Sequence, residues 1–129
     1  MSIGAEDALQ RAVIQWLTTI RPPWMYWHTP NGGARSEKEG GRLKKLGTLA
    51  GVPDLTFLVS RGRTCYIELK VGKGKLSPGQ IAFRRYCIEY RIDHELCRSL
   101  DQVRHQLQDW GLLDGRGLPV MPPERQVAA

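Results

Sequence analysis

Gly51-Val52-Pro53-Asp54-Leu55-Thr56-Phe57-Leu58-Val59-Ser60-Arg61-Gly62-Arg63-Thr64-Cys65-Tyr66-Ile67-Glu68-Leu69-Lys70-Val71 is the stretch whose reading decides the fold. Leu55 to Val59 and Thr64 to Val71 are β-prone runs, and Ser60-Arg61-Gly62-Arg63 between them is turn chemistry, so the segment reads as an antiparallel hairpin. Side chains two apart on a strand share a face, which puts Glu68 and Lys70 on one side and Ile67, Leu69 and Val71 on the other. With the turn centred near Gly62, Asp54 falls opposite Glu68 or within one residue of it, and β-carbons so opposed lie roughly 5 Å apart. Pro53 fixes the approach of the chain and sets Asp54 at the start of a strand.

Upstream of this hairpin, Leu9, Val13, Trp16, Leu17 and Ile20 recur at helical spacing and predict a helix from Ala5 to Ile20, ended by Arg21-Pro22-Pro23. Trp24 to His28 suits a short strand and leads into the turn residues Asn31-Gly32-Gly33. Ser36 to Leu46 reads as a short basic helix weakened by Gly40-Gly41. Downstream, Ser77-Pro78-Gly79-Gln80 carries a cap, a proline at the first helical position and a capping-box glutamine, and starts a helix running to about Tyr90. Ile92 to Cys97 alternates as a strand, and Ser99 caps a last helix bearing Val103, Leu107 and Trp110. The expected architecture is α/β, a small mixed β-sheet flanked by helices. Residues 1–110 read as one domain, and 111–129 as a Gly- and Pro-rich tail, poorly ordered or draped over the surface.

The chain's 129 residues suffice for one core and not two. Its 19 Lys and Arg against 13 Asp and Glu give a net charge of +6, a balance that favours a polyanion such as nucleic acid. Cys65, Cys87 and Cys97 lack the close pairing of zinc or redox motifs and read as buried thiols. With acids near the N-terminus where a signal peptide would be basic, and no apolar run of membrane-spanning length, a cytoplasmic protein is expected. His28, His94 and His105 have no metal-ligand spacing.

Two converging carboxylates repel, and a hard cation such as Mg²⁺ or Mn²⁺ removes that penalty while leaving room for phosphate oxygens. A neighbouring lysine can orient the attacking water and offset charge in the transition state. The plainer reading of Glu68 and Lys70 alone is an exposed ion pair on a solvated strand face. Asp54, one hairpin upstream, makes the combination more specific than its parts.

Pro53-Asp54 followed by Glu68-Leu69-Lys70 resembles the PD-(D/E)xK nuclease signature, and Gly51-Val52-Pro53-Asp54, Ile67-Glu68-Leu69-Lys70 and Gly74-Lys75-Leu76-Ser77-Pro78-Gly79-Gln80 are similar to the VRR-NUC family within it. The resemblance spans most of the chain and implies a restriction-endonuclease-like core of αβββαβ order. It implies that Asp54, Glu68, the Leu69 carbonyl and Glu6 hold the metal, and that Lys70 and Gln80 join Asp54 and Glu68 in catalysis. Gln80 reads equally as the capping partner of Ser77, a second role compatible with the first only if its side chain can leave the cap. The plainer alternative for Glu6 is an acid in the first helical turn favouring the helix dipole. Asn31 and Gly32 resemble a family loop that contacts phosphate and read equally as an ordinary turn, and Arg35, Arg42, Lys44, Lys45, Lys73 and Lys75 are placed to neutralise the DNA backbone, or else form a solubilising surface. The activity so implied is an Mg²⁺-dependent, structure-specific DNA endonuclease acting as a homodimer on branched or four-way DNA, like a Holliday-junction resolvase. The alternatives are a noncatalytic nucleic-acid-binding module and a restriction-like nuclease needing a specificity partner.

Overall fold

The computed structural model describes residues 4–30, 41–42 and 44–123. Its elements follow the expected order: α1 (Ala5–Ile20), β1 (Met25–His28), β2 (Leu55–Leu58), β3 (Thr64–Leu69), α2 (Pro78–Glu89), β4 (Asp93–Cys97) and α3 (Leu100–Asp109). Arg42, Lys44 and Lys45 are helical, at the end of the expected basic helix, and residues 36–40 of that helix lie outside the described residues.

The strands form one sheet in the order β1-β2-β3-β4. β2 pairs antiparallel with both β1 and β3, whereas β3 and β4 run parallel, so the sheet is mixed. A parallel pair needs a crossover, and α2 supplies it. The hairpin closes where the Val59 N–H donates to the Arg63 carbonyl at 2.9 Å. Arg61 and Gly62 take the left-handed turn between, at φ 59° and 76°.

Alternation along β2 and β3 divides the chain into two layers on either side of the sheet. Leu55, Phe57, Cys65, Ile67 and Leu69 are buried in one core with Val13 and Leu17 of α1 and Val103 and Leu107 of α3. α2 covers the other face, where Phe83 stands edge-on to Tyr66 with ring centres 5.1 Å apart. There Arg84 donates to the His94 carbonyl at 3.0 Å. Burial, and then the charge of Arg84, pull the His94 imidazole down to about 4, so it is neutral at physiological pH.

Residues 111–123, the described part of the segment after α3, depart from the surface tail that composition predicts. Leu112 and Leu113 are buried in the core. The Trp24 indole N–H donates to the carbonyls of Leu112 at 3.3 Å and Val120 at 3.1 Å, tying the segment to the start of β1. A pair of leucines between glycines is too short to show a period, which is why pattern alone assigns it no place. All three cysteines are buried thiols, none of them in a disulfide. No helix among the described residues is long and apolar enough to cross a membrane.

Candidate active site

The register of the hairpin builds the site. Leu55 pairs with Ile67, so one step further Asp54 stands directly opposite Glu68 and Pro53 opposite Leu69. Backbone bonds in an antiparallel pair fall on alternate residues. Val59 with Arg63 is such a bonded pair, and counting back in twos makes Pro53 and Leu69 another. Pro53 has no N–H, so it offers nothing to the Leu69 carbonyl. The Leu69 N–H, for its part, donates to Asp54 Oδ2 at 2.7 Å. Proline at this position thus has no N–H to give the Leu69 carbonyl, while the Leu69 N–H holds the Asp54 carboxylate. β1 fixes Asp54 from the other side: the Thr29 N–H donates to its carbonyl at 2.9 Å, and His28 Nδ1 lies 3.0 Å from the same oxygen.

Glu68 is 1% exposed. Its Oε1 accepts from Gln80 Nε2 at 3.1 Å. Oε2 is sealed from solvent with no donor among the described residues, and the group in reach is the Asp54 carboxylate. Two carboxylates cannot share a hydrogen bond unless one holds a proton. Burial first, then Asp54, push Glu68 up to about 9, and the charge of Lys70 opposes them. An unsatisfied buried oxygen costs roughly 1–3 kcal/mol, and a cation between the carboxylates would remove both that cost and their repulsion. The donor set, two carboxylates and a backbone carbonyl, suits a hard, oxygen-seeking ion. Among the described residues no three His, Cys, Asp or Glu side chains converge closely enough to hold an ion between them. Glu6 therefore stands outside the pair, although its charge acts on Glu68.

Gln80 resolves the competition between its two expected roles. Its Oε1 accepts from the Ser77 N–H at 2.8 Å while its Nε2 donates to Glu68, so it serves the cap and the site together without leaving either. An amide can accept at one atom and donate at the other, which a carboxylate at this position could not. The start of α2 is locked in turn by Gly51, at φ 88°, whose missing β-carbon would lie 2.2 Å from the Gly79 carbonyl carbon and 2.6 Å from the Gln80 nitrogen.

The VRR-NUC domain model matches residues 5–101, about three quarters of the chain and every residue of this centre. The chain belongs to the VRR-NUC family. That family is a nuclease family, and the matched residues include the buried acidic centre. Two solved structures share the fold of this VRR-NUC domain. A "VRR_NUC domain protein" aligns with a TM-score of 0.66 at 22% identity, over 85% of this chain and 90% of its own. A "VRR_NUC domain" aligns at 0.53 and 18%, over 81% of this chain and 94% of its own. Comparison with curated protein sequences finds no match.

Of the other residues expected at the VRR-NUC site, Lys73 and Lys75 are exposed on the loop that joins β3 to α2, next to Lys70. Arg42, Lys44 and Lys45 are exposed on the chain leading to Gly51. Asn31 and Arg35 lie outside the described residues. Two residues of the surroundings escape sequence reasoning. His28 holds the Asp54 backbone from a strand end, and nothing in its spacing marks it. Gln10 sits among apolar positions on the inward stripe of α1, and a polar residue on that stripe was its one available signal.

Proposed function

We propose that this nuclease is a divalent-cation-dependent DNA endonuclease, with Asp54, Glu68 and the Leu69 carbonyl as the ligands of Mg²⁺ or Mn²⁺. The observation that carries the reading is the buried Glu68 carboxyl, with one oxygen held by Gln80 and the other beside Asp54 without a donor among the described residues. An ion bound there would lower the pKa of water to within reach of neutral pH and offset charge on the phosphate oxygens.

The chain's own residues do the rest. Leu69 N–H and Gln80 Nε2 each fix one carboxylate, so neither must reorganise as the reaction proceeds. Lys70 lies on the Glu68 face of β3, where its ammonium orients the attacking water and stabilises the charge that builds on the phosphorus oxygens. In-line attack then breaks the bond to the 3′ oxygen, leaving a 3′ hydroxyl and a 5′ phosphate. Lys73, Lys75, Arg42, Lys44 and Lys45 neutralise backbone phosphates and position the duplex without reading its sequence. We take branched DNA as the preferred substrate and a homodimer as the working form, because a junction presents paired strands to paired sites.

The test is cleavage of labelled linear, flapped and four-way DNA with Mg²⁺ by wild type, Glu68→Ala and Lys70→Ala. Preferred cutting of the four-way substrate, lost in both variants by a factor of 10³ or more, is the expected result. Unchanged cutting in both variants sinks the site. Wild type that binds every substrate and cuts none with Mg²⁺ or Mn²⁺ would make the chain a binding module. A monomer on sizing at micromolar concentration removes the dimer.

A further inference from the structure

The inward stripe of α1 runs Glu6, Gln10, Val13, Leu17, the spacing that lines one face of a helix. Val13 and Leu17 are fully buried against the sheet, so the same face carries Gln10 inward. Both atoms of its amide, Nε2 and Oε1, are sealed from solvent, and neither has a hydrogen-bond partner among the described residues. A core position that needed only packing would hold a leucine, which extends the stripe and leaves nothing unsatisfied. The only other side-chain atom in this condition among the described residues is Glu68 Oε2. Helical side chains lean toward the N-terminus of their helix, so the Gln10 amide is directed at the turn that carries Glu6. Glu6 in turn is partly buried, and its charge reaches Glu68. The unsatisfied atoms of the described structure thus lie at the two ends of one chain of neighbours: Gln10, Glu6, Glu68.

We propose that Gln10 is a positioning residue of the cation site, its Nε2 donating to the Glu6 carboxylate and holding it toward Glu68 when a divalent cation is bound. This rests on the metal-dependent nuclease reading and assigns to that site a residue from the middle of α1. Gln10 touches neither substrate nor the reacting atoms; it acts through Glu6.

Gln10→Met, which keeps length and packing but removes both polar atoms, tests it beside Glu6→Gln and the double variant. Three quantities are measured: the thermal midpoint in EDTA, Mn²⁺ affinity by calorimetric titration, and cleavage. In Gln10→Met the midpoint in EDTA should hold or rise by a few degrees, because a buried unsatisfied amide has gone. Mn²⁺ affinity should fall fivefold or more and cleavage tenfold or more, and the double variant should be no worse than Glu6→Gln alone. A lowered midpoint with unchanged Mn²⁺ affinity makes Gln10 a core residue and overturns the proposal. So does full additivity in the double variant. Wild type that binds Mn²⁺ in a Gln10-dependent way and cuts no DNA overturns the nuclease reading while keeping this one, and wild type that binds no Mn²⁺ overturns both.

Discussion

Glu68 sets the terms of the site because its ionised carboxylate is less stable in the folded chain than in water. Burial and Asp54 raise it to about 9 from an ordinary value near 4.5. The folded state therefore binds the Glu68 proton more tightly than the unfolded state does. Its contribution to stability is fully present below about 4.5 and is lost as pH rises toward 9. Glu68→Gln removes that dependence and keeps the bond from Gln80 possible through its amide oxygen. In EDTA the variant should melt above wild type, by little at pH 5 and by about 5 °C or more at pH 8.5, a gap worth about 1 kcal/mol or more. Mn²⁺ should narrow the gap by stabilising wild type alone. His94 pulls the other way, its contribution present above 6.5 and lost as pH falls toward 4, but it is common to both proteins and cancels in the difference. A gap that stays constant from pH 5 to pH 8.5 would mean that Glu68 is not strained by its surroundings.

At the scale of elements, the hairpin was legible because its strands alternate and its turn contains glycine, and the Asp54 to Glu68 pairing followed from counting back along the register. The capping box at Ser77 was legible for the same local reason, and it formed as expected. What no sequence pattern shows is contact between elements far apart in the chain, such as the seat of α2 on the Gly51 loop or the second bond made by Gln80. That contact yields a paired prediction. Gly51 and Gly62 both have positive φ, at 88° and 76°, but an added β-carbon meets the backbone of Gly79 and Gln80 at Gly51 and nothing within 4 Å at Gly62. Gly62→Ala should cost about 1 kcal/mol for the left-handed backbone and leave cutting intact. Gly51→Ala must also push the start of α2 away, taking Gln80 from Glu68. It should cost more in urea denaturation than Gly62→Ala and reduce cleavage tenfold or more. If the two variants behave alike, the glycine at 51 serves its turn and not the helix.

Over the whole molecule, the charge of +6 says that a polyanion is favoured but not where it lies, and the proposed site offers a place to test. Asp54 and Glu68 sit at one end of the β2–β3 ladder, and the Arg61 turn closes the other. The ladder spans several residues at about 3.3 Å each, so the two ends are further apart than a Debye length at physiological salt. Lys73 and Lys75 flank the acidic end, exposed, where a phosphate backbone entering the site would pass. Each phosphate contact adds about 0.9 to the slope of log affinity against log salt on duplex DNA. Binding measured in EDTA, so that no strand is cut, should therefore lose about 2 from that slope in the Lys73→Ala, Lys75→Ala double variant. Arg61→Gly removes one charge at the far end and suits the left-handed backbone there, φ 59°. It should leave the slope unchanged within about 0.3, less than one contact's share. A slope lowered equally by both changes would show that DNA binds to the protein's overall field and not to the surface around Glu68, and the basic loop would then have no part in bringing the strand to the site.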